Sequence, residues 1–411
     1  MKLLIYGINY SPELTGIGKY TGEMASWLAA RGHQVRVVAA PPYYPQWQIT
    51  KGYSPWLYKK EEMDAVSVTR CPVYVPYKPS ALKRILHLAS FALSSLPILL
   101  SNIFWKPDIV IVIEPPFFCA PATLLFSRIS GAKSWLHIQD FEIDAAFDLG
   151  LLSSSFLKKT VYVFERKLLK MFHRISTISL PMLEKLKSKG IYKDKVTLFP
   201  NWVNTSAITP LYRISEYRKK LGIPESFFVA LYSGNMGEKQ GIEILVEAAQ
   251  KLSSYKDVVF VICGQGAARA RLERIAEGRG KIYWLPLQPS ENLNELLNLA
   301  DVHLLPQKSD SDGLVMPSKL TGMLASGKPV IATVDAESQI AEVLESSGII
   351  SPPGQVDGLC AAIREYYENP EKRVRDGAKA REYAVAHMSE FNILESFEQC
   401  LHQMSDEQLK L

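Results

Sequence analysis

The sequence predicts an α/β protein built from two doubly wound parallel sheets. With 411 residues, the chain is longer than one hydrophobic core usually supports. Short apolar runs alternate with amphipathic stretches from end to end, and this rhythm restarts after residue 205. The composition, 47% hydrophobic and 22% charged, excludes a disordered chain, a collagen and a multi-span membrane protein.

The individual elements follow from the apolar runs. In the first half we predict strands at 3–6, 35–39, 109–113 and 135–138, with a helix at 21–30. In the second half we predict strands at 228–232, 258–263, 282–285, 302–305 and 330–333. Prolines and asparagines at 199–210 indicate a hinge. The expected domains are therefore 1–204 and 205–388, followed by a C-terminal helix at 389–411 that returns to the first domain.

The cysteines and the N-terminal segment favour a cytoplasmic protein. Five widely spaced cysteines without a CxxC pair indicate buried thiols in a reducing compartment. Residues 1–10 have the pattern of a first strand instead of a signal peptide.

Charge is distributed unevenly along the chain. Residues 1–200 contain 25 Lys and Arg against 14 Asp and Glu, and residues 201–411 contain 22 against 28, so the halves carry +11 and −6 within the net +5. A basic first half predicts an anionic partner on that side, such as a membrane surface or a phosphate-bearing substrate.

Two segments are candidates for membrane contact. Residues 85–105 contain no Asp, Glu, Lys or Arg and would span about 30 Å as a helix. They are interpreted as a buried or membrane-surface helix pair, with a true membrane span as the alternative. Residues 156–175 carry an apolar stripe, Leu157, Val161, Phe164, Leu168 and Phe172, opposite a basic face, which predicts either packing on the sheet or attraction to anionic lipid.

Glycine-rich turns follow the first strand of each half. Gly16 and Gly18 precede the first helix, where backbone N–H groups and the helix dipole favour an anion. The third glycine of a dinucleotide fingerprint is replaced by Thr21, which argues against an oxidoreductase. In the second half, turns at 233–241, 264–266 and 309–319 predict a site for a phosphate-bearing nucleotide at the carboxyl ends of the strands.

The motifs P-x-x-x-G-x-G, PNWVN, SGNMG, CGQG, PSKL and ASGKPVIAT, taken in this order, resemble the GT-B glycosyltransferases of family four. The resemblance implies two Rossmann-like domains facing a cleft, the first for the acceptor and the second for a nucleotide sugar. It implies retention of anomeric configuration, with no metal and no cofactor. The closest likeness is to the subgroup that builds bacterial exopolysaccharides such as colanic acid. That likeness implies transfer of L-fucose from GDP-fucose to a polyprenyl-diphosphate-linked saccharide, at the inner face of the cytoplasmic membrane and without nucleic acid.

The chain departs from the family pattern in its donor site. The basic pair that grips the diphosphate is replaced by Asn235 and Gln240, and the two family glutamates are replaced by Leu314 and Gly322. An Asp310-Ser311-Asp312 sequence resembles a metal-binding DxD, but metal is not expected. The predicted donor-binding residues are Gly16, Gly18, Ser233, Gly234, Asn235, Lys239, Gly264, Gly266, Leu314, Val315, Ser318 and Lys319.

Candidate catalytic residues cluster after the predicted strand 135–138. His137 and Gln139 share one face of that strand, and Asp140 opens the next loop. A carboxylate there can orient the acceptor hydroxyl or take its proton, and a core histidine is the alternative interpretation of His137. Glu13 is a further candidate, as is Glu114, and the alternative for either is a helix cap or an ion pair with a lysine. Two alternatives stay open: a scaffold subunit without a working donor site, and a nucleotide-sugar epimerase of the same fold.

Overall fold

A computed structural model of the chain describes residues 1–78, 80–148, 155–237, 240–308 and 316–409. The chain forms two compact units. Met1–Pro200 and Leu394–Leu411 belong to the first, and Asn201–Ile393 belong to the second. Each unit contains its own sheet with helices packed against it.

The first unit contains an eight-stranded sheet. Its strands are β1 (Lys2–Tyr6), β2 (Gln34–Ala39), β3 (Lys59–Met63), β4 (Val66–Arg70), β5 (Ile109–Glu114), β6 (Lys133–Ile138), β7 (Arg174–Thr177) and β8 (Val196–Leu198). They lie in the order β3-β4-β2-β1-β5-β6-β7-β8. All neighbours are parallel except β3 and β4, which form an antiparallel pair.

The helices of this unit are α1 (Gly16–Ala30), α2 (Ala81–Ser101), α3 (Ala120–Ser130), α4 (Glu142–Asp148), α5 (Ser155–Met171) and α6 (Leu180–Ser188). The central strands are largely apolar because helices cover the sheet, and every residue of β5, including Glu114 at its end, is buried. The register aligns Glu114 with Ile138 and Tyr6 with Val112. The loops that leave β1, β5 and β6 therefore emerge at the same edge of the sheet.

The second unit contains a six-stranded, fully parallel sheet. Its strands are β9 (Phe228–Ser233), β10 (Val258–Cys263), β11 (Ile282–Leu285), β12 (Val302–Pro306), β13 (Val330–Thr333) and β14 (Gly348–Ser351), in the order β11-β10-β9-β12-β13-β14. Its helices are α7 (Glu216–Leu221), α8 (Glu243–Lys251), α9 (Arg269–Ala276), α10 (Leu293–Leu297), α11 (Ser318–Ala325), α12 (Gln339–Leu344), α13 (Val356–Glu368) and α14 (Pro370–His387).

The last helix, α15 (Glu390–Leu409), ends in the first unit. Its Phe397 stacks on Phe199 with ring centroids 4.1 Å apart and meets the edge of Trp135 at 4.9 Å. Trp135 lies in the centre of the first sheet and is fully buried. Aromatic packing of this kind anchors the end of the chain to that sheet.

The prediction of two α/β units with parallel sheets is confirmed, and each of the nine predicted strands is present. Strands β3, β4, β7, β8 and β14 were not predicted. Strand β3 reads KKEEM and is largely exposed, so it lacks the apolar run on which the prediction relied. Strands β7, β8 and β14 contain only three or four residues each.

The apolar stretch at 85–105 is one helix followed by a short 3-10 turn, so the predicted helix pair is wrong. Helix α2 buries a single stripe, His87, Phe91, Ser95 and Leu99, which recurs every four residues. The hydroxyl of Ser95 lies 2.7 Å from that of Tyr6 in β1. In the described part of the chain, Ala81–Trp105 is the one helical stretch whose length and apolar composition would allow it to cross a bilayer.

Helix α5 differs from its predicted stripe. Leu168 and Phe172 are buried as expected, but Phe164 is exposed. Glu165, its neighbour in sequence, is buried instead and faces Lys189, with the two charged groups 2.6 Å apart. A buried ion pair therefore occupies part of the face that the sequence assigned to apolar packing. The side chain of Leu157 lies outside the described residues.

Candidate active site

Glu13 organises the loops that leave β1 and β2. It is buried, and its carboxylate accepts hydrogen bonds from Asn9 Nδ2 at 2.9 Å and from the backbone N–H groups of Tyr43 and Tyr44 at 3.1 and 3.0 Å. Burial raises its pKa, although these hydrogen bonds oppose the rise. With its oxygens engaged in this way, Glu13 joins the loops that follow β1 and β2.

The glycines of the first loop support this arrangement. A Cβ atom at Gly18 would overlap the carboxylate of Glu13, so glycine is required there for close packing. Gly16 adopts a φ of +64° and begins α1. Gly18 therefore serves the fold of the loop, while Gly16 stays at the helix N-terminus where the sequence placed it.

His137 lies in a buried hydrogen-bond network. Its Nε2 is 3.0 Å from the amide nitrogen of Gln139, which can only donate, so Nε2 accepts and Nδ1 carries the proton toward Ser176 Oγ at 2.8 Å. Ser176 Oγ also accepts from Trp135 Nε1 at 2.8 Å. Burial lowers the pKa of His137 to about 3, so the ring is neutral. In this arrangement the ring accepts a hydrogen bond from the Gln139 side chain.

A group of carboxylates lies at the end of β6 and β5. Asp140 is exposed at the start of the loop, whereas Glu142 is largely shielded and Glu114 is buried. The backbone N–H of Phe117 donates to Glu142 Oε2 at 2.6 Å, and that of Glu142 donates to Glu114. One carboxylate oxygen of Glu114 is buried without a hydrogen-bond partner among the described residues.

Burial raises the pKa values of Glu142 and Glu114. Burial, with a smaller contribution from the charge of Asp140, raises the pKa of Glu142 to about 7. Burial and the charges of Glu142 and Glu165 raise the pKa of Glu114 well above its usual range, against the effect of Lys189. The edge therefore carries an accessible Asp140 beside two carboxyl groups, Glu142 and Glu114, whose raised pKa values favour the protonated form.

In the second unit, two glycine turns pack backbone against backbone. The N–H of Gly234 donates to the carbonyl of Cys263 at 3.0 Å, and the N–H of Met236 donates to that of Gln265 at 2.8 Å. A Cβ at Gly264 would overlap the Gly234 carbonyl, and one at Gly266 would overlap that of Met236. The glycines thus allow the loops after β9 and β10 to meet closely.

Lys319 is buried beside the turn that follows β9. A Cβ at Gly234 would lie 3.2 Å from its Cδ, and Nζ sits 4.4 Å from the centroid of the Tyr232 ring. Among the described residues, Nζ has no hydrogen-bond partner, and burial lowers its pKa to about 7. No described residue supplies a counter-charge to this amine, and a bound phosphate would supply one.

Gln240 and Gly322 occupy positions at which the family has a basic residue and a glutamate, respectively. The side-chain oxygen of Gln240 is buried without a partner in the described part of the chain and approaches Gly237. Gly322 lies inside α11, where a Cβ would be only 3.3 Å from Leu297 Cδ1. A glutamate side chain would have to displace Leu297 from that position.

Of the remaining predicted donor residues, Ser233 ends β9 and Ser318 is exposed at the start of α11. The backbone carbonyl oxygen of Asn235 accepts a hydrogen bond from the Tyr232 hydroxyl at 2.6 Å. Lys239, Leu314 and Val315 lie outside the described residues, as does the Asp310-Ser311-Asp312 sequence.

Sequence reasoning missed Glu142 as a candidate. The signal available was the run Asp140, Glu142 and Asp144, three carboxylates at alternate positions directly after a buried strand. Asp144 forms ion pairs with Lys185 and Lys189, at 3.0 and 2.8 Å. The sequence shows the three acids, but only the fold shows which of them is shielded.

Two family descriptions match this chain. Residues 15–202 match the family described as "Glycosyl transferase 4-like domain", and residues 213–383 match "Glycosyl transferases group 1". WcaI of Escherichia coli K12, a candidate colanic acid biosynthesis glycosyl transferase, is 44% identical over 410 residues, which cover 97% of this chain and 98% of that protein.

Solved structures share the fold at low sequence identity. Sucrose-phosphate synthase from Thermosynechococcus elongatus superposes with a TM-score of 0.76 at 17% identity, with 98% of each chain covered. HepE from Anabaena, in complex with UDP and glucose, superposes with a TM-score of 0.70 at 14% identity, covering 98% of this chain and all of that one. The chain belongs to glycosyltransferase family four, with the two parallel-sheet domains of the GT-B fold, and is a glycosyltransferase.

Proposed function

We propose that this enzyme transfers L-fucose from GDP-fucose to a polyprenyl-diphosphate-linked saccharide in the biosynthesis of an exopolysaccharide of the colanic acid type. The relationship to WcaI over nearly the whole chain supports the pathway. The observation that carries the donor site is the buried ammonium group of Lys319 beside the turn at Gly234, which has no hydrogen-bond partner in the described part of the chain. The sugar and the acceptor follow from the family resemblance.

The donor diphosphate binds at the carboxyl ends of β9 and β12. Lys319 supplies the positive charge that the family draws from its basic pair, and Gln240 supplies an amide where the second member of that pair would stand. Lys239 and the backbone at Leu314 and Val315 complete the phosphate contacts. The complex of HepE with UDP and glucose supports a nucleoside diphosphate as the ligand class in this fold.

The chemistry needs charge stabilisation on the departing group. The bond between C1 of the sugar and the diphosphate oxygen breaks, and a new bond forms between C1 and the acceptor oxygen on the same face, so the configuration is retained. The negative charge that develops on the diphosphate is stabilised by Lys319. No metal takes part in this step.

The acceptor binds in the first unit, where a carboxylate can accept the proton of its hydroxyl group. Asp140 is exposed at the end of β6 and orients that hydroxyl or accepts its proton. Gln139, held by the neutral His137, contacts the sugar or the acceptor beside it. Glu13 positions the loops after β1 and β2 through its three hydrogen bonds.

A lipid-linked acceptor places the enzyme at the cytoplasmic face of the membrane, and α2 offers the surface for it. Leu93 is 73% exposed on the side of the helix away from its buried stripe, and Phe104, in the 3-10 turn that follows the helix, is 90% exposed. Lys83 and Arg84 at its start are exposed, and the helix contains no acidic residue. An apolar face with basic flanks fits an anionic bilayer surface.

Calorimetric titration with GDP, UDP and ADP tests the donor site. We expect one nucleotide to bind, and Lys319→Met to weaken that binding about 10- to 100-fold because a charge-assisted contact is lost. Lys379→Met is the matched control, since Lys379 is exposed on α14. Failure of every nucleotide to bind the wild-type chain would favour a scaffold without a working donor site.

A transfer assay tests the reaction itself. A panel of radiolabelled nucleotide sugars is incubated with polyprenyl-diphosphate-linked saccharides, and we expect label from GDP-fucose in the lipid fraction. Label in the lipid fraction from another sugar alone would overturn the donor assignment. Conversion of the donor in the absence of acceptor would indicate an epimerase.

A further inference from the structure

Two imidazoles and a carboxylate meet where the C-terminal helix contacts the first sheet. His33 directly precedes β2, and Glu398 and His402 lie four residues apart on one face of α15. Their ligand atoms all lie within 4.8 Å of one another. His33 Nε2 is 2.7 Å from Glu398 Oε1, and the two histidine rings have centroids 5.7 Å apart.

The cluster is placed so that an ion could enter it from solvent. His33 and Glu398 are buried, which holds them in position, and His402 is exposed. The nitrogen of Met1 lies 3.2 Å from His33 Nδ1, so the ring is held on both sides with Nε2 toward the cluster. Three protein ligands and an open side leave room for a water molecule as a fourth ligand.

The cluster lies at the opposite edge of the sheet from the candidate active site. His33 stands before the first residue of β2, whereas Gln139 and Asp140 follow the last residue of β6. Parallel strands align their ends, so these residues lie at different edges. An ion in this cluster would cross-link α15 to the sheet and would take no part in sugar transfer.

We propose that His33, Glu398 and His402 form a zinc-binding site that fastens the C-terminal helix to the first unit. Two imidazole nitrogens and one carboxylate oxygen match the ligands that Zn²⁺ prefers, and differ from the all-oxygen sets of Mg²⁺ and Ca²⁺. Binding replaces the Nε2···Oε1 hydrogen bond with two bonds to the metal. The proton shared in that hydrogen bond leaves to solvent.

Arg31 competes with the metal for the carboxylate. Its Nε lies 3.2 Å from Glu398 Oε2, and its side chain is 46% exposed, so it can turn toward water. A metal ion must displace this guanidinium or share the carboxylate with it. Replacing Arg31 with an uncharged residue should therefore tighten zinc binding, whereas removing a ligand should weaken it.

Equilibrium dialysis of the untagged full chain against Zn²⁺, after treatment with a chelator, tests the site. We expect one ion per chain, and a loss of about tenfold or more in affinity for His402→Ala. His387→Ala is the control, because His387 is an exposed histidine on α14 outside the cluster. Arg31→Met should bind zinc more tightly than the wild type.

Thermal unfolding provides a readout that does not depend on catalysis. Saturating Zn²⁺ should raise the unfolding midpoint of the wild type and of His387→Ala, and leave that of His402→Ala unchanged. Equal zinc binding by His402→Ala and the wild type, or no stoichiometric binding by the wild type, would overturn the proposal. Because His402 is exposed, its replacement does not disturb the core.

Discussion

The ammonium group of Lys319 lies 4.4 Å from the centroid of the Tyr232 ring, at the carboxyl end of β9. The ring face attracts the cation, but among the described residues no oxygen accepts a hydrogen bond from it. A buried cation that finds an aromatic ring but no hydrogen-bond acceptor among the described residues is poorly stabilised by them. In the proposed donor site, a bound phosphate would stabilise the charged form of this lysine.

Nucleotide affinity should depend on pH through Lys319. Burial lowers its pKa to about 7 in the free enzyme, and a bound diphosphate favours the charged form and raises that pKa. Binding therefore takes up a proton above pH 7, and affinity should fall by up to about tenfold per pH unit between pH 7 and 9. Calorimetry across this range checks it. Lys319→Met should show weak binding without this slope, and an equal slope in that variant would contradict the assignment.

Asp140→Ala should abolish transfer while sparing nucleotide binding. The carboxylate is exposed at the acceptor edge, and a group that accepts a proton contributes about 10²- to 10⁴-fold in rate. Turnover in the lipid-fraction assay and calorimetry with the nucleotide are measured side by side. Glu184→Ala, at an exposed carboxylate on α6, is the control. Wild-type turnover in Asp140→Ala would refute the role.

Glu142→Gln should stabilise the protein in a pH-dependent manner. The unfolded carboxyl group ionises near pH 4.5, but burial raises its folded pKa to about 7, so the wild type loses stability as pH rises through that window. Glutamine removes this loss, which is about 3 kcal/mol at pH 8 and nearly absent at pH 4. Chemical unfolding at the two pH values measures it. A stability difference from the wild type that is the same at both values would contradict the raised pKa.

Gly264→Ala should destabilise the second unit. The new Cβ would overlap the carbonyl of Gly234, and φ at this residue is +148°, so we expect a loss of about 3 kcal/mol or more. Gly278→Ala is the control, because φ there is +71° with open space around it, and it should lose only about 1 kcal/mol. Thermal unfolding compares the two variants. Equal losses would show that the loops can separate without cost.

Leu93→Glu should weaken binding to phosphatidylglycerol vesicles about tenfold, because it places a charge on the exposed apolar face of α2. Val374→Glu is the control, since Val374 is similarly exposed on α14 of the second unit. Vesicle co-sedimentation at low and high salt measures both.

Charge reversal of Lys159, Arg166 and Lys170 tests the basic face of α5 separately. Unchanged vesicle binding in that variant would remove α5 from the membrane surface.

The two α/β units and the positions of the glycine turns follow from the amino-acid pattern alone. Apolar runs of four to six residues predict buried strands wherever they occur, because a strand covered on both faces has little choice of side chain. The turns at Gly234 and Gly264 were visible as breaks after such runs. Strand β3 could not be predicted in this way, because its exposed lysines and glutamates form no apolar run.

The environment of each polar residue depends on contacts that the sequence pattern does not show. Glu13 and His137 looked like reactive groups in the sequence, yet hydrogen bonds from distant loops and strands engage them. Lys319 and Glu142 owe their shifted pKa values to burial, which depends on how helices and loops close over them. Spacing along the chain reports local geometry, whereas desolvation and partner distance arise from contacts between residues far apart in sequence. For that reason the fold could be predicted and the state of each site residue could not.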